Sequence, residues 1–511
     1  MNNGFMKDMA KYLPAQVVPG LVGLVSIPVV TRIFPPAEYG NYSLAAATVM
    51  VLSTLFGWLP TSVIRYYPAY EREGRLAVFN ATVIRLAVVA LAGLAVLYSV
   101  PLWVLRTKMS DPLWRLLMIG GGLFVVTCAF NLLQWFLRAK RMVGRYSAFA
   151  VWQSVAGFGL GMAFIFLLGA SIEGLLLGGI LSMVLALPLL WREAMGRNVR
   201  IPLLGRIDPQ AAGATFLYGM PLVVSNLAAW ILSLSDRYLI GLFRDNSEVG
   251  VYSLSYNIAD RSLMLLVTLF VMASAPIGIR IWENGGERES RRFVSEVTRL
   301  YLLACVPLVV GASVLSRFVI QIMAGAGYEG GYRIMPYVLF GVLLLGVQQR
   351  YQVGLLFRKR TSLITVATIV AGLLNVLLNI LFIPAYGYFA AAVTTLVSYA
   401  ALLLLTVWFS RRVFVWEFPW RSLLNVAMAS GVMAIVVHLA GYAIRLPPVA
   451  VLAICASVGT VVYCLVLLAL HEFSPQEFQA AWQVVQTVTH AVRGLWRSPA
   501  GVKESRAEEV L

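Results

Sequence analysis

A chain of 511 residues that is 60% apolar and only 12% charged, with a mean hydropathy of +0.81, is too oily to be a string of soluble domains. Its formal net charge of +17 and pI ≈ 9.9 would suit a nucleic-acid binder, but the cations are spread over many short loops rather than gathered in one stripe. Lipid is the expected main solvent, and no nucleic-acid partner is expected.

About fourteen apolar stretches are each long enough, at the rise of an α-helix, to cross a hydrocarbon core of roughly 30 Å. They run over 12–34, 41–67, 79–105, 115–137, 147–168, 174–191, 214–243, 249–278, 295–316, 335–357, 362–384, 389–409, 422–445 and 449–470. The first follows two lysines, contains Pro14, Pro19 and Pro28 and lacks a small-residue cleavage site, so it reads as an uncleaved helix rather than a signal peptide. Positive loops resist translocation, and with a cytoplasmic N-terminus the inner loops hold about 22 basic residues against about eight outside. Both termini are then cytoplasmic, and a multi-pass protein of the cytoplasmic (inner) membrane is expected. Cys128, Cys305, Cys455 and Cys464 all fall inside apolar stretches without metal-ligand spacing, which suits buried small hydrophobes.

An internal repeat organises these stretches. Glu38-Tyr39-Gly40-Asn41-Tyr42-Ser43-Leu44 returns as Glu248-Val249-Gly250-Val251-Tyr252-Ser253-Leu254, identical at five of seven positions. Each copy joins the first and second helix of a six-helix set, and Gly174 to Ser182 occupies the place that Ala390 to Ser398 takes in the second set. An even number of helices per copy makes the repeats parallel, related by an axis along the membrane normal, with a substrate site expected between them. The expected fold is all-α integral membrane: two six-helix bundles related by a pseudo-twofold, over 1–191 and 214–410, joined by a cytoplasmic linker at 192–213. Helices 13 and 14 (411–470) fall outside the duplication. Over 471–511, Ser474-Pro475-Gln476-Glu477 is a helix start, and Phe478, Trp482, Val485, Val488, Val492 and Leu495 recur at helical spacing. This segment reads as an amphipathic helix on the cytoplasmic leaflet or one that docks a partner.

At these residues the chain resembles a known family. Thr31-Arg32-Ile33-Phe34-Pro35-Pro36-Ala37-Glu38-Tyr39-Gly40, Val63-Ile64-Arg65-Tyr66-Tyr67-Pro68, Asp236-Arg237-Tyr238-Leu239-Ile240-Gly241 and Ile383-Pro384-Ala385-Tyr386-Gly387 are similar in order and spacing to the polysaccharide-exporting branch of the multidrug/oligosaccharidyl-lipid/polysaccharide exporter superfamily, the O-antigen repeat-unit flippases among them. The resemblance implies a flippase for undecaprenyl-pyrophosphate-linked oligosaccharide repeat units. It also implies surrounding membrane lipids and, as partners, polysaccharide polymerases or glycosyltransferases. Sister branches of the superfamily carry drugs or lipid II, and the fourteen-helix layout is shared with the lipid II branch.

Independently of the family, an ionisable side chain at membrane depth costs about 2.5 to 3.5 kcal/mol on insertion scales, so it faces protein or a water-filled cavity. Asp260 and Arg261 lie roughly 16 Å into the eighth stretch, with Asn257 on the same helical face. Arg350, beside Gln348 and Gln349, sits in the inner half of the tenth, while Asn375 and Asn379 form an i,i+4 pair on the eleventh. Arg65 and Arg85 lie toward the inner side; Arg32, Asp236 and Arg237 lie toward the outer ends. A pyrophosphate wants cations in a low-dielectric cavity, and guanidinium offers a fixed fork of donors to it. Arg261 and Arg350 are the foremost candidates for headgroup contact, followed by Arg65, Arg32, Arg85 and Arg237, with Asn257, Gln349, Asn375 and Asn379 as polar neighbours. Each arginine also has a plainer reading, as an ion-paired or snorkelling group that fixes packing. Asp260 and Asp236 either couple transport to a Na⁺ or H⁺ gradient or simply pair with Arg261 and Arg237. No cofactor is expected.

No GxxxxGK[ST] loop occurs, so an ATP motor would have to be a separate subunit. A membrane glycosyltransferase would need a set of carboxylates on an external loop, and the largest exterior connection, 317–333, offers only Glu329. An enzyme is therefore not expected. A small-molecule antiporter is the main rival, but cationic drugs would want acidic walls, whereas this path is net basic.

Overall fold

The computed structural model describes residues 3–169, 171–196 and 207–473, and among these the regular structure is helical throughout. The amphipathic segment expected after residue 473 and the middle of the 192–213 linker lie outside the described residues.

The first half comprises α1 (Asn3–Ile33), α2 (Pro36–Phe56), α3 (Trp58–Arg72), α4 (Leu76–Val104), α5 (Asp111–Ala139), α6 (Val143–Leu168) and α7 (Glu173–Met195). The second comprises α8 (Pro209–Phe243), α9 (Asn246–Asn284), α10 (Gly286–Val314), the short α11 (Ser316–Met323), α12 (Met335–Phe357) and α13 (Thr361–Arg411). Then come α14 (Trp420–Ala443) and α15 (Pro448–Ala469). Among the described residues, twelve helical segments are long and apolar enough to cross a membrane, α2 and α3 forming one of them around Gly57. The fifty-one residues of α13 are two crossings, because Gly387 breaks the helix at φ 59°, ψ −147° just after Pro384. The twenty-three residues of α12 are also long enough, although Gln348, Gln349, Arg350 and Gln352 interrupt their apolar run. The fourteen crossings expected from the sequence are thus all present. Their ends differ most at the starts of α1 and α10, which begin at Asn3 and Gly286, each nine residues before the apolar stretch, because hydrogen bonding does not stop where lipid does.

The duplication is visible in atomic detail. The turns after α5 and α12 use the same bonds: Met142 N donates to Leu137 O at 2.9 Å, and Arg360 N to Leu355 O at 2.8 Å. The residue before each donor, Arg141 or Lys359, is left-handed at φ 58° and 57°. The repeated glycines contact each other's helix starts reciprocally. A Cβ on Gly40 would overlap the carbonyl oxygen of Asn246, and one on Gly250 would overlap that of Pro36. Pro36 and Asn246 open α2 and α9, so this reciprocity is a local twofold between the halves.

That end of the molecule is sealed further by the α10–α12 connection. Tyr328 Oη donates to Phe34 O at 3.0 Å, Gly325 N donates to Thr31 Oγ1 at 3.2 Å, and Arg32 Nη2 donates to Ile322 O at 2.9 Å. At the opposite end, Ser62 Oγ donates to Thr215 O at 2.8 Å, joining α3 to the start of α8. There α14 and α15 are tied to α10 by a buried carboxylate. Glu472 accepts from Arg299 Nε at 3.0 Å and from Asn425 Nδ2 at 2.7 Å. Burial alone would raise its pKa, but hydrogen bonds from Ser422, Asn425 and Arg299 and the arginine's charge outweigh that and hold it below the ordinary 4.5.

Candidate functional site

One face of α9 carries the site. Asn257, Asp260, Arg261, Met264, Val271 and Ser274 follow helical spacing and line a cavity of about 1040 Å³. Its other walls come from α8, α10, α12 and α13; Met50 alone comes from the first half. The sequence places the substrate site between the halves, whereas the larger cavity lies within the second. A smaller cavity of about 230 Å³ does occupy the interface, walled by Ser26, Tyr39, Tyr42 and Ser43. Arg237, Asn257 and Arg261 border both spaces, and Asn257 Nδ2 donates to Tyr39 Oη at 3.3 Å across the halves.

Four charged side chains line the larger cavity: Arg237, Asp260, Arg261 and Arg350. Arg237 is almost fully buried and paired. Its Nη1 stands 3.7 Å from Asp236 Oδ1 and its backbone N–H donates to the same oxygen at 2.8 Å. Its Nε donates to Ser253 Oγ at 3.2 Å, and its guanidinium lies 5.0 Å from the Tyr256 ring centroid. Tyr252 Oη donates to Asp236 Oδ2. Asp236 therefore sits behind Arg237, outside the cavity lining, as its counter-ion.

Arg261 and Asp260 adjoin each other in sequence, yet neither makes a salt bridge within 4 Å or a hydrogen bond through its side chain among the described residues. The Arg261 guanidinium rests on Gly23 of α1, in space that any Cβ there would occupy. Arg350 is buried, 3% exposed. Its Nη1 donates to Ser274 Oγ at 3.2 Å, its guanidinium lies 5.9 Å from the Tyr301 ring centroid, and its Nε has no hydrogen-bond partner. No carboxylate pairs with it among the described residues. Gln349 lines the cavity beside it.

The remaining candidates lie elsewhere. Arg32 is bound to the Ile322 carbonyl at the sealed end, Arg65 is exposed and Arg85 is half-buried, and none of them lines either cavity. Asn375 and Asn379 are fully buried in α13 instead of facing the cavity. Thr394 Oγ1 donates to Asn379 Oδ1, Asn379 Nδ2 to Asn375 Oδ1 at 3.0 Å, and Asn375 Nδ2 to Thr395 Oγ1 at 3.3 Å. They clasp the two parts of α13 across its break. Gly23 and Ser274 also border the smaller and the larger cavity respectively but are not among the candidates that the sequence singles out. Ser274 was findable, since it stands two heptads beyond Asp260 on the same face; nothing local marks Gly23.

Comparisons with known proteins agree with this architecture. Residues 221–381 match the MatE family model. A probable low-salt glycan biosynthesis flippase, Agl15 of Haloferax volcanii, is 25% identical over 37% of this chain and 40% of its own length. The uncharacterized membrane protein MJ1068 of Methanocaldococcus jannaschii is 23% identical over 40% of each chain. The matched region thus spans about two fifths of these curated relatives. Among solved structures, the lipid II flippase MurJ in an inward closed conformation superposes with a TM-score of 0.72 at 17% identity, covering 88% of this chain and 96% of its own. An inward-facing multidrug resistance MATE family transporter superposes with a TM-score of 0.64 at 12% identity, covering 78% and 94%. Residues 5–282, more than half of the chain, match the family model described as polysaccharide biosynthesis protein, so the chain belongs to that family.

Proposed function

We propose that this protein flips a saccharide linked through pyrophosphate to an undecaprenyl-type lipid from the cytoplasmic to the outer leaflet by alternating access. The observation that carries the reading is the charge of the larger cavity. Three arginines line it against the single carboxylate of Asp260, and among the described residues Arg261 makes no salt bridge within 4 Å and Arg350 has no acidic partner. In a low-dielectric enclosure, uncompensated guanidinium is a standing demand for an anion, and phosphate oxygens meet it with charge-assisted hydrogen bonds. The loop charges support an orientation with both termini in the cytoplasm of the inner membrane, which puts the sealed end outside.

Asp260 is the coupling carboxylate in this reading, because it faces the cavity and, among the described residues, has no salt bridge within 4 Å and no side-chain hydrogen bond to break before it takes up H⁺ or Na⁺. Asp236 would serve only after releasing Arg237 and Tyr252.

The test is transport in proteoliposomes of a labelled undecaprenyl-pyrophosphate-linked saccharide, beside the same lipid carrying a neutral headgroup. Selective movement of the pyrophosphate lipid is expected. Equal rates for both, or movement of cationic small molecules instead, would overturn the reading.

A further inference from the structure

Arg261 and Arg350 stand at different levels of the larger cavity, and their separation sets how many anions it receives. Arg350 is fixed beside Ser274 of α9, while Arg261 belongs to α9 itself. Thirteen residues separate 261 from 274, so at 1.5 Å per residue the two levels differ by about 20 Å along the helix. The neighbouring helices run in register over this length. Gly331 packs against Ser255 so closely that a Cβ would overlap its hydroxyl, and nineteen positions on in each chain segment (255 to 274, 331 to 350) Arg350 meets Ser274. A pyrophosphate is two phosphoryl groups sharing one bridging oxygen and cannot span such a distance.

Resting on the proposed flippase reading, we infer that the cavity contains two separate anion stations, and that Arg350 with Ser274 and Gln349 forms a loading station distinct from the one at Arg261. Around Arg350 the walls run on to Gly278, Val297, Phe357 and Thr361, near the α9–α10 and α12–α13 turns, away from the sealed end. An anion arriving through that mouth meets Arg350 first. The Arg350 Nε is buried without a hydrogen-bond partner, a donor left open in a side chain otherwise held in place by Ser274 and the Tyr301 ring. The second station adjoins the interface cavity, where Arg261 rests on Gly23 of the opposite half. Movement between stations is a translation along the Asn257–Ser274 face of α9, without a rotation of the headgroup.

The experiment is calorimetric titration of the purified full-length protein in detergent with a water-soluble short-chain prenyl pyrophosphate, run beside the transport assay. Two ligands per chain are expected, falling to one in Arg350→Gln, to one in Arg261→Gln and to none in the double variant. Arg350→Lys, which keeps the charge, retains the second ligand and guards against a variant that has merely misfolded. One ligand per chain in the unsubstituted protein, with binding abolished by either single variant, means one shared site and overturns the two-station inference, leaving the flippase reading intact. No binding by the unsubstituted chain, together with transport indifferent to the pyrophosphate, removes both.

Discussion

The two halves share a plan and differ in what they bury. All four buried charged residues among the described ones, Asp236, Arg237, Arg350 and Glu472, come after residue 207. The first half instead closes its core with aromatic rings, Phe56, Phe79, Phe124, Phe130 and Phe136 all being fully buried. The turns after α5 and α12 remain superposable in their hydrogen bonds, so the backbone has kept its symmetry while the interior has not. The duplication supplies a scaffold, and charge placed in one copy supplies the candidate site.

The largest test of this contrast is the Asp236–Arg237 pair. Removing one member of a buried ion pair costs about 3 to 5 kcal/mol, so Asp236→Ala should strongly lower the melting temperature of the purified protein, whereas Asp260→Asn should not. Similar losses in the two variants would mean that Asp260 is as firmly partnered as Asp236. Next, Arg261→Gln should reduce transport roughly 100-fold, the equivalent of one charge-assisted contact of about 3 kcal/mol. Arg65→Gln, exposed in the first half, should leave the rate within about twofold by the same reasoning. Comparable losses in both would show the site to be spread over the halves.

The reciprocal glycines sharpen the symmetric side of the comparison. Gly40→Val and Gly250→Val each drive a side chain into a backbone carbonyl, and overpacking of this kind costs about 1 to 3 kcal/mol. Near-equal drops in thermal stability are expected, and a drop in only one variant would end the claim of local twofold packing. The smallest effect belongs to Glu472. Its folded pKa is depressed, so the stability it contributes is present above the unfolded value near 4.5 and is lost as pH falls through the lower folded one. Glu472→Gln should cost about 1.5 kcal/mol at pH 7, the scale of a hydrogen bond to a charged group, and should flatten the melting-temperature profile below pH 4.5. An unchanged profile would mean that α14 and α15 are held without this carboxylate.

Fourteen crossings and the duplication are legible in the sequence because lipid imposes apolar stretches of fixed length and because Glu, Gly and Tyr at matched positions stand out from an apolar background. The charged face of α9 is legible for a similar reason, through helical spacing at Asn257, Asp260 and Arg261. What spacing does not tell is which way a helix is turned. Asn375 and Asn379 have the same i,i+4 relation, yet the break at Gly387 folds Thr394 and Thr395 back onto them and takes up their hydrogen-bonding groups. Arg32 and Arg65 are basic near membrane ends in the same way as Arg237, and only tertiary packing separates a capped carbonyl, an exposed side chain and a paired guanidinium. The Arg261–Gly23 contact joins residues far apart in the chain, and an absent side chain leaves no mark in a pattern of side chains.

The glycine contact at the head of α9 also has a mechanical meaning. Gly250 is pinned against Pro36 near one end of a helix of thirty-nine residues, which makes the contact a fulcrum and the rest of α9 a lever. Ser274 lies twenty-four residues down that lever, about 36 Å from the fulcrum at 1.5 Å per residue, so a tilt of about 10° would carry it roughly 6 Å sideways. That stroke is enough to pull Ser274 away from Arg350, while Arg261, eleven residues from the pivot, would move about 3 Å. One small rocking motion would then displace the far station roughly twice as far as the near one.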